Sequence, residues 1–369
     1  HLRFPEFHGE WEKCKLGELA VKVGSGSTPK GGNAVYTTSG HCFVRSQNVG
    51  MGHLILNDIA YIDESTHQKQ KSTELRTNDV LLNITGASIG RTALATEEIN
   101  GGNVNQHVCI IRTNGNVEPS YICDYIQTSK IQKYIQSLQT GGSREGLNFE
   151  QIRSFPINIP TVEEQVKIAK LLSLINERIA TQSKLIEMLE SLIKGIAHKV
   201  SKQGKPNTRL SECLQCASST LQESDVAEVG LYPVYGANGI VGYLDTYNTT
   251  SEAIYIIKDG SGVGTVSYVN GKCSATGTLN ILQTNDGFSL RYLYFMLKVF
   301  GFEPYKTGMA IPHIYFKDYG KAKIYCPNYE LQNKCANLLY EIEQKATIEQ
   351  KILNNLCSQK QYLLRQMFI

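Results

Sequence analysis

The stretch PTVEEQVKIAKLLSLINERIATQSKLIEMLESLIKGIAHKV, residues 160–200, decides the architecture. It has no proline after Pro160, and its first glycine is Gly195. Thr161 with Glu164 three residues on is a capping box, so a helix is expected to start there. From Ile168 the seam positions step alternately by four and three: Leu172, Ile175, Ile179, Gln182, Ile186, Leu189, Ile193, Ile196, Val200. All but Gln182 are apolar. A 3.5-residue repeat of this length calls for a partner helix. Cys335, Leu339, Ile342, Ala346, Glu349, Leu353, Leu356, Lys360, Leu363 and Met367 repeat the steps further along the same chain. Two ordinary amphipathic core helices are the alternative, but about 40 residues each is long for globular helices.

Outward from this stretch the chain reads as one unit written twice. Thr140, Gly141, Phe149, Ile157, Pro160, Glu163, Gln165, Lys167, Ala169, Leu171, Leu172 and Ile175 recur in type as Thr307, Gly308, Phe316, Ile324, Pro327, Glu330, Gln332, Lys334, Ala336, Leu338, Leu339 and Ile342. Upstream, DVLLNITGASIGR (79–91) parallels AIYIIKDGSGVGT (253–265), and NVGMGHL (48–54) parallels NGIVGYL (238–244). The spacing of those earlier matches drifts, so the helical part is length-locked while the part before it carries insertions. Loops that vary inside a fixed frame are where recognition sits.

Each unit before its long helix reads as α+β. HCFVRSQNV, DVLLNITG, GRTALAT and QHVCIIRT cluster β-formers between glycines and predict a strand-rich sheet. Residues 119–138 predict one helix, then a Gly/Ser loop and the short strand SFPINIP. The second unit predicts strands to about Thr284, a helix over 289–300, a loop over 306–313 and a strand over 321–326. The segments are therefore 1–160, a recognition domain; 161–200, a long helix; 201–208, the polar linker SKQGKPNT; 209–327, a second recognition domain; and 328–369, a second long helix.

At 369 residues the chain suggests two domains plus connectors. Net charge is only +3. Residues 15–160 hold 13 Lys/Arg against 12 Asp/Glu, and residues 209–327 hold 9 against 10. A nucleic-acid face would have to come from local arrangement, not bulk charge. No apolar run is long enough for a membrane span. No signal peptide opens the chain, which starts at His1 without a methionine, so preceding residues are expected. The 10 scattered cysteines fit the thiols of a reducing cytoplasm. Cys213 and Cys216 form one CxxC with no second pair and no suitably spaced histidine, so no metal site is expected.

Catalytic signatures are absent: no Walker loop, no G-x-S-x-G, no HExxH and no Asn-Pro-Pro-aromatic tetrapeptide. The glycine-rich segments 85–91, 140–148, 258–265 and 306–313 could instead present N–H groups and polar side chains to phosphates. Tight turns needing positive φ explain those glycines equally well. The polar candidates beside them are Ser88, Arg91, Ser143, Arg144, Lys258, Ser261, Lys306 and His313. Side chains suited to base edges cluster as Arg45, Gln47 and Asn48 and as Asn105, Gln106 and His107. Their counterparts in the second unit are Tyr235, Asn238, Thr276 and Thr278. Each could equally serve hydrogen bonding inside the fold.

LRFPEFHGEWEKCKLGEL, DVLLNITGASIGR, NVNQH and TGGSREGLNFEQIRSFPINIPTVEEQVKIAKLL, with the second pass over the same features, resemble the specificity subunit of a Type I restriction-modification system. The resemblance covers essentially the whole chain. It implies an α+β fold with two target-recognition domains separated by an antiparallel coiled coil of the two long helices, with a pseudo-twofold. It implies that each domain reads one half of a bipartite, asymmetric DNA site and that the chain itself has no catalysis and no cofactor. Two methyltransferase subunits, using S-adenosylmethionine, and two ATP- and Mg-dependent restriction subunits would be its partners on double-stranded DNA. The second unit lacks a clear counterpart to NVNQH. A helix of about 40 residues is roughly 60 Å long, and successive major-groove faces lie about 34 Å apart, so such a pair could act as a ruler. Gln182 and Glu349 are expected to face each other and set its register. A non-DNA scaffold or antagonist of such a complex, or a fused methyltransferase or nuclease, are the competing readings.

Overall fold

The computed structural model describes residues 2–139, 146–308 and 311–368, together with the backbone but not the side chains of residues 32 and 33. The two long helices run Val162–Ser201 and Tyr329–Met367. Two compact units result: His1–Thr181 with Leu353–Ile369, and Gln182–Ile352. These units divide the chain differently from the segments read along the sequence, because each takes part of both long helices. In the first unit Ile168 and Leu172 share a core with Leu364, Met367 and Phe368. In the second, Ile193, Ala197 and Val200 share one with Ala336 and Leu339. The start of one helix therefore lies beside the end of the other, and the pair is antiparallel.

Every seam position is buried or half-buried, including Leu172, Ile175, Ile179, Ile186, Leu189, Leu339, Ile342, Leu353 and Leu356. Within the second unit Gln182 Nε2 donates to Glu349 O at 3.1 Å and also to the Glu349 carboxylate. Lys345 and then Gln182 hold that carboxyl below its usual range.

The two units share one sheet topology. A four-stranded antiparallel sheet runs Ala20–Ser25, Val108–Thr113, Val80–Asn83, Thr92–Leu94 in the first. In the second it runs Leu214–Ser218, Leu279–Thr284, Ala253–Ile257, Val266–Val269. A three-stranded sheet follows in each: Ala60–Ile62, His41–Val44, Asn103–Val104, and Gly239–Leu244, Tyr232–Gly236, Ser274–Ala275. Its central strand is antiparallel to the first and parallel to the last.

Period-two burial explains the apolar runs. Val80, Leu82, Cys109 and Ile111 face the core containing Tyr121 and the long helices. Leu81, Val108 and Ile110, one residue out of phase, face a second core with Val44 and Val104. Ile254 and Ile256 against Ala253, Tyr255 and Ile257 repeat the division. The single helix expected over 119–138 is instead two, Pro119–Gln127 and Ser129–Gln139. Thr128 breaks it by adopting extended backbone, with its Oγ1 donating to Tyr125 O at 2.7 Å.

Candidate nucleic-acid interface

In the first unit the connection from Val80–Asn83 to Thr92–Leu94 is pinned on both sides. Ile84 N–H donates to His107 O at 3.0 Å, and Leu147 N–H donates to Ile84 O at 2.9 Å. Asn83 Nδ2 donates to Ser46 O at 2.8 Å, drawing the 45–48 turn alongside. Gly86 and Gly90 turn the connection at φ +68° and +85°, a region only glycine adopts without strain. Three separate segments thus line one concavity of about 450 Å³, with Ser46, Gln47, Thr85, Ser88, Arg91 and His107 on its walls.

The candidates differ in how free they are. Arg91 is exposed and has no side-chain partner among the described residues. The His107 ring lies 2.6 Å from Thr85 Oγ1 and 3.1 Å from Gln106 Nε2, and Thr28 N–H donates to Gln106 Oε1 at 2.9 Å. Arg45 and Gln47 are both held by Asp58: Arg45 Nη2 reaches its backbone O at 2.6 Å, and Gln47 Nε2 reaches Oδ2 at 2.7 Å. The Arg45 guanidinium also stands 5.6 Å from the Tyr36 ring centroid.

Two candidates face inward instead. Asn48 is 1% exposed and donates to Ile55 O at 2.9 Å. Asn105 is 7% exposed, and its Oδ1 accepts from His107 N–H at 3.1 Å. They shape the edge rather than lining it, because a turn this close to the core leaves polar groups to satisfy internally. Ser143 and Arg144 lie outside the described residues.

The second unit builds the same edge. Lys258 N–H donates to Thr278 O at 2.9 Å, and Ile314 N–H donates to Lys258 O at 2.9 Å. Thr276 N–H donates to Tyr235 O at 2.9 Å, as Asn105 N–H does to Val44 O at 3.0 Å. Thr276 and Thr278, read from the sequence as counterparts, therefore stand where Asn105 and His107 stand. Isolated bridges pair Thr85 with Gly146 and Asp259 with His313.

Equivalent backbone thus carries unlike side chains. His313 Nδ1 lies 2.7 Å from Asp259 Oδ1, and Thr276 and Thr278 hydroxyls are 2.8 Å apart. Thr276 is buried at 1% exposure, so it too faces inward. Asn238 is exposed in the hairpin turn before Gly239, and Ser261 is exposed in the turn after Gly260. Tyr235 is half-buried with its ring edge-on to Tyr255 at 5.8 Å, and Lys306 pairs with Glu303 at 2.5 Å. Asp58, Asp259 and Thr28 were missed from sequence, where no spacing rule ties them to the groups they hold.

No group of His, Cys, Asp or Glu able to hold a metal ion occurs among the described residues. Cys213 faces Cys326 rather than Cys216, and the hydrogen bond with Cys326 pushes its thiol up. Among the described residues no helix is long and apolar enough to cross a membrane.

The Type I restriction modification DNA specificity domain matches residues 8–191 and again residues 209–357. The chain belongs to that family. The two matches fall on the two copies of the repeat. A protein of Mycoplasma genitalium named as a type I specificity subunit is 25% identical over 313 residues, spanning 77% of this chain and 79% of that one. The crystal structure of a Type-I restriction-modification system S subunit from M. genitalium shares the fold, with TM-score 0.69 and 18% identity over 99% of this chain and 98% of that one. A chain from a study of complex assembly and conformational transition of the type I R-M system aligns at TM-score 0.54 and 17% identity, again over 99% and 98%. Specificity subunits of type I systems are the non-catalytic members of their complexes.

Proposed function

We propose that this chain is the sequence-reading subunit of a Type I restriction-modification complex, each unit reading one half of a bipartite, asymmetric site on double-stranded DNA. The observation that carries the reading is the edge built twice by the same backbone hydrogen bonds but faced with His107 and Thr85 in one unit and Thr278 and Asp259 in the other. One scaffold with two sets of side chains gives two unlike half-sites, since donors and acceptors in the groove distinguish base pairs.

The long helices supply the second half of the role. In the second unit Leu185, Met188, Leu192, Ile348 and Ile352 are exposed. All five sit off the seam, at positions that share one face of an antiparallel pair. An apolar stripe of this kind suits docking of partner subunits. Two methyltransferase and two restriction subunits would bind there and along the pair. The chain has no cofactor of its own; S-adenosylmethionine, ATP and Mg²⁺ belong to those partners, in the cytoplasm.

Mapping N6-methyladenine across the genome with and without this gene tests the proposal. A bipartite motif lost on deletion is the expected result. Loss of a single uninterrupted motif, or of none, would overturn it. Binding to random duplex only when the methyltransferase is absent would favour an antagonist instead.

A further inference from the structure

The repeat gives the chain an internal control, and one position departs from it in kind. Tyr121 Oη donates to Asn158 O and Tyr292 Oη to Tyr325 O, each at 2.7 Å. Glu118 N–H and Ser289 N–H donate to the side chains of Gln165 and Gln332 at 2.9 and 3.0 Å. These matched bonds superpose Pro119–Gln127 on Leu290–Lys298. Asp124 then falls on Phe295, Gln127 on Lys298 and, along the seam, Lys360 on Ile193.

In the second unit Phe295 and Ile193 are buried together in one apolar core, and Lys298 turns out to Glu343 at 2.8 Å. In the first unit Lys360, Asp124 and Gln127 are all buried, at 8%, 6% and 6% exposure. Lys360 Nζ donates to Gln127 Oε1 at 2.9 Å, and Gln127 Nε2 donates to Asp124 Oδ1 at 3.0 Å. Burying a cation and a carboxylate costs desolvation that an apolar pair avoids. The second unit shows that the apolar pair suffices to seat a long-helix end on this short helix. The charges in the first unit therefore serve something else.

What rests on them is the 48–54 turn. Gly52 has φ +82°, and a Cβ there would stand 2.6 Å from Gln127 Oε1 and 2.8 Å from Lys360 Nζ. Its N–H donates to Thr92 O at 2.7 Å. The same turn begins at Asn48, whose Oδ1 accepts from Arg45 N–H at 3.0 Å. Gly242, which the sequence repeat aligns with Gly52, lies instead in the strand Gly239–Leu244 opposite Val234, where Ala60 stands opposite Phe43 in the first unit. The two-residue turn at 237–238 leaves the second unit without a counterpart of the 48–54 turn.

We propose that Lys360 is a positioning residue for base readout by the first unit: through Gln127 and Asp124 it sets the seat of Gly52 and so the placement of the Arg45–Gln47 edge. Among the described residues the second unit carries no such device. This inference rests on the DNA-reading role proposed above.

The test uses the full chain assembled with its partner subunits and a pool of random-sequence duplexes, with the bound fraction sequenced. Wild type yields a bipartite motif. Lys360→Met keeps the stem and removes the charge; it should lower base preference about tenfold at positions in one half and leave the other half unchanged. Asp124→Asn carries the same expectation should Lys360→Met prove insoluble. Equal weakening of both halves, or no change in either, would overturn the inference. A wild-type pool without any motif would instead overturn the DNA-reading role, and this inference with it.

Discussion

Replacing Arg91 by alanine probes the concavity most directly. Arg91 is exposed and follows Gly90, where a Cβ would stand 2.7 Å from Gln132 Oε1, so the turn that carries it is pressed against that side chain. No described residue neutralises it, and Ser88 and His107 share the concavity with it. One phosphate neutralised contributes about 0.9 to the slope of log K on log salt. At about 0.15 M salt that factor corresponds to roughly fivefold in affinity. Arg91→Ala should therefore weaken binding to random duplex about fivefold and flatten the salt slope by about 0.9. Fluorescence anisotropy of a labelled duplex across a salt series reads both quantities. If Arg91 grips a guanine instead, the loss falls on one base pair and is about 1–3 kcal/mol there. An unchanged slope together with an unchanged motif would remove Arg91, and the concavity it lines, from the interface.

Further outcomes follow from neighbouring contacts. Asp58 is 80% exposed in its side chain and holds both Arg45 and Gln47; Asp58→Ala should tighten random-duplex binding roughly fivefold by the same counter-ion arithmetic while narrowing the gap between specific and random sites in competition assays. Burial pushes the Asp124 carboxyl up to about 7, although Lys360 pulls the other way. Its folded value lies above the unfolded 3.8, so the folded chain holds the extra proton and stability should rise as pH falls from 7 towards 4, by at most about 1.4 kcal/mol per unit. Asp124→Asn should flatten that slope in urea unfolding followed by Trp11, the single tryptophan, which lies beside Tyr121. Tyr121→Phe and Tyr292→Phe each delete one donor to a strand carbonyl; each should cost about 1 kcal/mol, and the costs should add in the double variant because the sites share no partner. A cost at one site only would break the equivalence of the two units.

The long helices, their pairing and the duplication were legible because their information is local and periodic. A seam residue at Leu172 or Leu339 is buried wherever its face points, and a 3.5-residue step records that face in the chain itself. The matching apolar runs DVLLNITG and AIYII likewise announce strands buried on both faces. The break at Thr128 was not legible, since a single threonine inside an apolar-periodic stretch stops a helix only if its hydroxyl finds a carbonyl.

The polar edge lay further from reach. Arg45, Gln47, Asn48, Asn105 and Gln106 all have the chemistry to meet a base, yet Asn48 and Asn105 turn inward, and Arg45 and Gln47 are held by an aspartate that the second unit has no segment to supply. Residue type and order determined the candidates, the repeat and the antiparallel pairing of the long helices. Which candidates share one concavity and which hold the scaffold were decided only when strands distant in sequence paired, because a side chain's orientation there follows long-range hydrogen bonds and inserted turns that carry no period.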